Sequence, residues 1–223
     1  MTSENGSLLQ IRNLKKHFAV GGGMFSGFMG SKTWLKAVDG INLNIEPGTT
    51  YGLVGESGCG KSTTAKMVLM LEEPTDGDIL FEGEDALNLD KDGRKNYKSS
   101  VQAVFQDPWA SLNPRMRVEG IVGEPLEVNT TMTKGEIKAK VGELLEEVGL
   151  QPYQSRLYPH EISGGQRQRI GVARSLALNP KLIVLDEPVS ALDVSIRAQI
   201  MNLLMDLQKE HGLTYLLIAH HLA

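Results

Sequence analysis

The segment Gly55-Glu56-Ser57-Gly58-Cys59-Gly60-Lys61-Ser62 has the spacing G-x-x-x-x-G-K-[ST]. A short apolar run, Thr50 to Val54, precedes it, and a helical pattern opens at Lys61. Strand, glycine loop and helix in that order are the context in which this spacing holds phosphate. The glycines let backbone N–H groups turn inward around an anion, and the helix N-terminus adds partial positive charge. A nucleoside triphosphate with Mg2+ is therefore the expected ligand. Gly55 to Gly60 would wrap the phosphates and Lys61 would reach the β- and γ-phosphate oxygens. Ser62 would ligate Mg2+, with Thr63 beside it, while Cys59 occupies a variable position of the loop and its thiol is incidental.

A second acidic signal lies downstream. Leu182-Ile183-Val184-Leu185-Asp186-Glu187 is a buried-strand pattern ending in two carboxylates. Asp186 at the strand tip suits Mg2+, and Glu187, one residue on, suits orienting and deprotonating an attacking water.

The remaining patterning alternates strand and helix. Leu8 to Phe18 and Trp34 to Ile45 read as strands, and Glu46-Pro47-Gly48 as a turn. The glycine-rich stretch Gly21 to Gly30 reads as a flexible hairpin tip. Lys61 to Leu71 reads as a helix stopped near Pro74, and Asp78 to Phe81 as a strand. Thr133 and Glu136 form a possible capping box. Behind them Ile137, Val141, Leu144, Leu145 and Val148 share one helical face, which Gly149 is placed to end. Ile196, Ile200, Leu203, Leu204 and Leu207 make another stripe, closed by Gly212. Leu213 to Ala219 is a last buried strand. Such alternation predicts an α/β fold with a largely parallel sheet.

Composition narrows the class. Net charge is -4 over 223 residues, which disfavours a protein whose work is gripping nucleic-acid phosphate. The one cysteine excludes a disulfide within the chain. No apolar stretch approaches the roughly 20 residues of a membrane-spanning helix, and the polar start of the chain lacks a signal-peptide core. Any membrane association is expected to go through a partner.

Further motifs carry a family resemblance. Ile162-Ser163-Gly164-Gly165-Gln166, upstream of the Asp186 strand, resembles the signature of ABC ATPases. Its glycines, read as preceding a helix, would form a second anion cradle. Gln106 resembles the Q-loop glutamine, Ser190-Ala191-Leu192-Asp193 the D-loop, His220 the switch histidine, and Phe18 the aromatic that stacks on adenine. The resemblance implies a RecA-like parallel-sheet core with an N-terminal antiparallel β subdomain and an inserted helical subdomain. The expected division is about 8-106 and 163-223 for the core and about 107-162 for the helices. It also implies roles. Glu187, His220 and Gln106 would be catalytic, and Ser62, Gln106 and Asp186 would serve the metal. Ser163, Gly164, Gly165, Gln166 and Asp193 would meet ATP held by an opposite subunit.

Gln106 to Arg115, Gly123-Glu124-Pro125-Leu126, Tyr158-Pro159-His160-Glu161 and Asp186 to Ile196 are, in addition, similar to oligopeptide/dipeptide importer ATPases, a group that includes nickel importers. The wording resembles the second of their two paired ATPase subunits. This resemblance implies an ATPase on the cytoplasmic face of a membrane, with transmembrane permease subunits and a second ATPase subunit as partners. An external substrate-binding protein would act indirectly, and no nucleic acid is involved. Pro108 to Met116 would meet the permease, with Trp109 as an apolar anchor. His221 stands where these relatives have Asp, and the chain is expected to be a C-terminally truncated cassette. A soluble ABC ATPase acting on DNA or ribosomes, a P-loop kinase, or a non-catalytic fragment are the competing readings. The first lacks its usual coiled coils here, and the kinase has no use for Ser163 to Gln166.

Overall fold

The computed structural model describes residues 6–20 and 33–219. The glycine-rich stretch 21–30 and residues 220–223, with His220 and His221, lie outside the described residues.

Two sheets organise the chain. Strands β1 (Leu9–Val20), β2 (Thr33–Ile45), β4 (Asp76–Phe81) and β5 (Glu84–Asp85) form an antiparallel sheet in the order β2-β1-β4-β5. Strands β3 (Thr50–Val54), β6 (Val101–Val104), β7 (Leu182–Asp186) and β8 (Thr214–Ala219) form a parallel sheet in the order β3-β8-β7-β6. The expected α/β architecture, with parallel and antiparallel sheets, is what the chain adopts.

Helices connect the parallel strands, as crossover geometry requires. They are α1 (Lys61–Val68), α2 (Lys91–Ser100), α3 (Pro108–Ser111), α4 (Val118–Asn129), α5 (Lys134–Glu147), α6 (Gly164–Leu176) and α7 (Val194–His211). Helices α3, α4 and α5 occupy the segment between Gln106 and Ser163.

Successive side chains of a strand point to opposite faces, and β7 uses both. Leu182 and Val184 join a core built with Leu9, Ile11, Leu14, Met67 and Ile79 from β1, α1 and β4. Ile183 and Leu185 join a second core with Ile121, Val122, Leu144, Leu145 and Ile170 from α4, α5 and α6. All four are essentially inaccessible to solvent, which is why the run carries no polar alternation.

Helix ends show where local chemistry decides. Thr133 and Glu136 do form the capping box. The Thr133 N–H donates to Glu136 Oε2 at 2.7 Å, and the Glu136 N–H donates to Thr133 Oγ1 at 3.4 Å. Helix α5 then closes on Gly149 at φ 73°, with Gly149 N–H on Glu146 O and Leu150 N–H on Leu145 O. Helix α1 closes the same way but without glycine. Met70 takes φ 53°, its N–H donates to Met67 O, and Leu71 N–H donates to Lys66 O. The helix therefore ends at Val68 rather than running to Leu71, and the left-handed Met70 stops it ahead of Pro74.

Replacing Thr133 by Ala should destabilise the chain by about 1 kcal/mol, read from a denaturant midpoint at neutral pH. The backbone N–H of Thr133 and, after it, the Thr133 hydroxyl, which donates to Glu136 Oε2 at 2.8 Å, hold the Glu136 carboxyl below its ordinary value. Because this folded-state value is depressed, the stabilisation exists above the ordinary carboxylate range and is lost as pH falls through the depressed value. Thr133→Ala keeps the backbone bond and loses the hydroxyl's, so the difference between wild type and variant should shrink on acidification by the hydroxyl's share.

Candidate nucleotide site at the edge of the parallel sheet

All strands of the second sheet run the same way, so their C-terminal ends share one edge. Register fixes what meets there. Val54 pairs with Ala219, Asp186 with Ile218, and Val104 with Leu185. Leaving that edge are the Gly55–Ser62 loop after β3, Asp186 and Glu187 at β7, and Phe105 and Gln106 after β6; β8 ends there at Ala219, and His220 lies outside the described residues. Adjacent strands lie about 4.8 Å apart, so the loop, the carboxylates and Gln106 rise from positions within a few strand spacings. Ligands of parallel α/β sheets bind outside such carboxyl ends.

The glycine loop is shaped by what a side chain would strike. Gly60 has φ 99°, and a Cβ on it would lie 2.3 Å from the Ala37 carbonyl oxygen of β2. Only glycine fits that left-handed, crowded position. Gly60 is also the N-cap of α1 and supplies no side-chain acceptor; Thr64 N–H bonds Gly60 O at 2.9 Å. The N–H groups of the first turn have no intrahelical acceptor by construction, so the helix start suits an anion. Lys61 is buried, and its Nζ donates to Gly55 O at 2.6 Å and Glu56 O at 2.8 Å. Its charge is thus held within the loop. The exposed Ser62 hydroxyl and the Asp186 carboxylate are hard oxygen donors of the kind that Mg2+ takes. An anion cradle beside such donors fits a magnesium-bound nucleotide.

Glu187 is nearly buried, at 9% exposure, and adopts φ 49°. Its N–H donates to Ile218 O at 3.1 Å, and its carbonyl accepts from Ser190 Oγ at 3.1 Å. A non-glycine residue in the left-handed region is a strain that surrounding contacts must hold, and such residues gather at functional sites. Gln106 and Asp193 are exposed, and Asp193 N-caps α7 without a side-chain cap bond.

Phe18 lies on β1 opposite Leu35, 36% exposed, with Lys16 Nζ 5.0 Å from its ring centroid. Taken alone it reads as core, but its place is at the surface.

The Ser163 segment departs from expectation in one respect. Gly164 and Gly165 do not precede the helix; they are its first two residues, and Ser163 is the N-cap. Ser163 N–H donates to Gln166 Oε1 at 3.0 Å, and Gln166 N–H donates to Ser163 Oγ at 3.3 Å. Serine and glutamine thus form a capping box, which the S-x-x-Q spacing could have shown. Gly164 faces Leu192, while a Cβ on Gly165 would fall 2.7 Å from Ile196 Cγ2. The motif therefore packs on the Leu192–Ile196 segment of its own chain. Arg197, whose Nε and Nη2 donate to Leu192 O and Ser190 O, holds that segment in turn.

A Gly60→Ala variant should lose about 2 kcal/mol or more of stability, since a methyl group there meets backbone. Thermal unfolding would measure it; an unchanged midpoint would contradict the close approach.

Comparison with known proteins agrees with this arrangement. Residues 38–190 match the family model described as ABC transporter. The oligopeptide transport ATP-binding protein AppF of Bacillus subtilis (strain 168) is 51% identical, over 100% of this chain and 68% of that protein. The dipeptide transport ATP-binding protein DppF of Escherichia coli (strain K12) is 48% identical, over 97% of this chain and 64% of that protein. The chain thus spans about two thirds of the length of these relatives. Among solved structures, the ATP-binding cassette MJ0796, as a dimer in a post-hydrolysis state bound to ADP and Pi, superposes with a TM-score of 0.81 at 30% identity. That match covers 96% of this chain and 88% of the other. With its cassette fold, its glycine loop and these relatives, the chain belongs to the ABC transporter family.

Proposed function

We propose that this chain is the ATP-hydrolysing subunit that energises a membrane importer of peptides. The observation that carries the reading is the shared sheet edge, where the Gly55–Ser62 loop, Asp186, Glu187 and Gln106 leave parallel strands of one sheet. Relatives named for oligopeptide and dipeptide transport support peptides as cargo. Import, as opposed to export, rests on the family resemblance.

The residues divide the work of ATP + H2O → ADP + phosphate. Backbone N–H groups of Gly55 to Gly60 and the start of α1, together with Lys61, hold the phosphates, and Ser62, Gln106 and Asp186 would hold Mg2+, which when bound would supply charge neutralisation at the phosphate oxygens. Glu187 takes a proton from the water that Gln106 helps orient, and His220 contacts the γ-phosphate. Phe18 stacks on adenine. Positioning and charge stabilisation supply most of the rate. Ser163 to Gln166 and Asp193 meet ATP held by a second ATPase subunit, a reading supported by the dimer of the similar cassette MJ0796.

No helix among the described residues is long and apolar enough to cross a membrane. Transmembrane permease subunits would hold this chain peripherally at the cytoplasmic face, and the external substrate-binding protein would act through them. The division into a core (about 8-106 and 163-223) and a helical subdomain (about 107-162) is supported by the placement of α3 to α5.

The test is Mg2+-dependent ATP hydrolysis by the purified chain, alone and with its neighbouring ATPase subunit. Glu187→Gln should lower turnover by at least roughly a hundredfold while ATP still binds; wild-type turnover would remove Glu187 from the role of base. In equilibrium binding, Lys61→Ala should weaken ATP by roughly tenfold or more, and unchanged affinity would count against the loop as the phosphate site.

A further inference from the structure

Helix α3 begins two residues after Gln106 and carries Trp109, which is 47% exposed. Its ring is covered on one face by Arg167, with the guanidinium carbon 4.1 Å from the ring centroid. Arg167 is the residue after Gln166, in the first turn of α6. Its Nη1 donates backwards to Pro159 O at 3.1 Å and Ile162 O at 2.5 Å, two carbonyls of the segment that leads into Ser163. Its Nε is buried and has no acceptor among the described residues. The guanidinium plane is therefore fixed by two carbonyls on one edge and spends its face on the indole, a contact for which arginine's weakly hydrated, planar cation is suited.

A second tie runs parallel to the first. Arg174, two turns further along α6, donates from Nη1 to Ser111 O of α3 at 3.2 Å and from Nη2 to Glu124 of α4 at 2.9 Å. Helix α3 is thus joined to α6 at two places. Of the two ties, the Trp109–Arg167 stack reaches the turn that begins with two glycines, the residue type that costs most, proline aside, to order in a helix.

We propose that the Arg167–Trp109 stack positions the Ser163–Gln166 turn, so that whatever presses on the exposed face of Trp109 is felt at the turn that meets the second subunit's ATP. Arg167 and Trp109 are positioning residues; neither belongs to the Gly55–Ser62 loop that would hold this chain's own nucleotide. The inference rests on the proposed function, because it needs that turn to act across a dimer. It adds a named connection between the Gln106-linked helix and the signature helix. The consequence is a split in the kinetics. The chain's own phosphate loop is untouched, so ATP affinity stays, whereas assembly of the two-subunit site suffers.

The experiment measures kcat, KM and direct ATP affinity for the complex of the full chain with its permease and ATPase partners. Arg167→Gln and Trp109→Ala should each lower kcat about tenfold with KM and ATP affinity within about twofold of wild type. Trp109→Phe, which keeps an aromatic face, should restore most of kcat, and Arg167→Lys, which keeps a cation but not the fork, part of it. A spectroscopic arm uses Trp34→Phe, which leaves Trp109 as the sole tryptophan of this chain. Its emission should shift when MgATP is added in the Glu187→Gln background, and the shift should vanish with Arg167→Gln. Wild-type kcat in Trp109→Ala or Arg167→Gln, Trp109→Phe as impaired as Trp109→Ala, or emission indifferent to ATP that does bind, would each overturn the stack as a positioning device. A wild-type chain that fails to bind ATP would instead overturn the proposed function and this inference together.

Discussion

Everything at the candidate site hangs on β7. It runs between the two hydrophobic cores, with Leu182 and Val184 in one and Ile183 and Leu185 in the other, and its neighbours β6 and β8 contribute to both cores as well. A strand buried on both faces in a parallel sheet has no solvent face to tolerate slippage, and a one-residue shift would exchange every contact. That rigidity brings Asp186 and Glu187 to a set height on the sheet edge. It also sets the heights of β6 and β8, which pair with β7 on either side. The carboxylates leave the sheet where burial ends: Asp186 is half-buried and still in register with Ile218, and Glu187 turns away in a left-handed conformation.

Helix starts are treated in two opposite ways in this molecule. Helix α1 begins on Gly60, without a side chain to cap it, directly after the glycine loop. Helix α6 begins on Ser163, and its capping box with Gln166 already occupies one of the first N–H groups. Orphan donors at a helix start must find acceptors. At α1 the loop offers them to a ligand, whereas at α6 the chain supplies part of the answer itself. The Ser163 turn is consequently a braced structure, held by its own cap, by Arg167 and by packing of Gly165 on Ile196.

Much of this was legible in the residues. Glycine spacing, the apolar run before Asp186 and the Thr133–Glu136 box are local signals, each read within a dozen residues. The end of α5 was legible because Gly149 marks it, while the end of α1 was not, because Met70 takes the same left-handed position and carries no such mark. Helix α4 gave no clear signal either, since Pro125 lies inside it and breaks the pattern expected of a helix. The surface position of Phe18 ran against its apolar character, because the outer end of β1 extends beyond the core it begins in.

The sequence by itself determined the phosphate loop, the carboxylate pair and their order along the chain, because each depends on chemistry carried by neighbouring residues. Tertiary structure decided which of these groups share an edge, since parallel pairing joins β3, β8, β7 and β6 across more than a hundred residues and no local pattern encodes a neighbour so distant. It also decided that Trp109 rests under Arg167, a contact between two segments whose separate sequences carry no sign of the other. Short-range patterns report backbone preference and burial; the meeting of side chains from distant segments is settled only when the cores close.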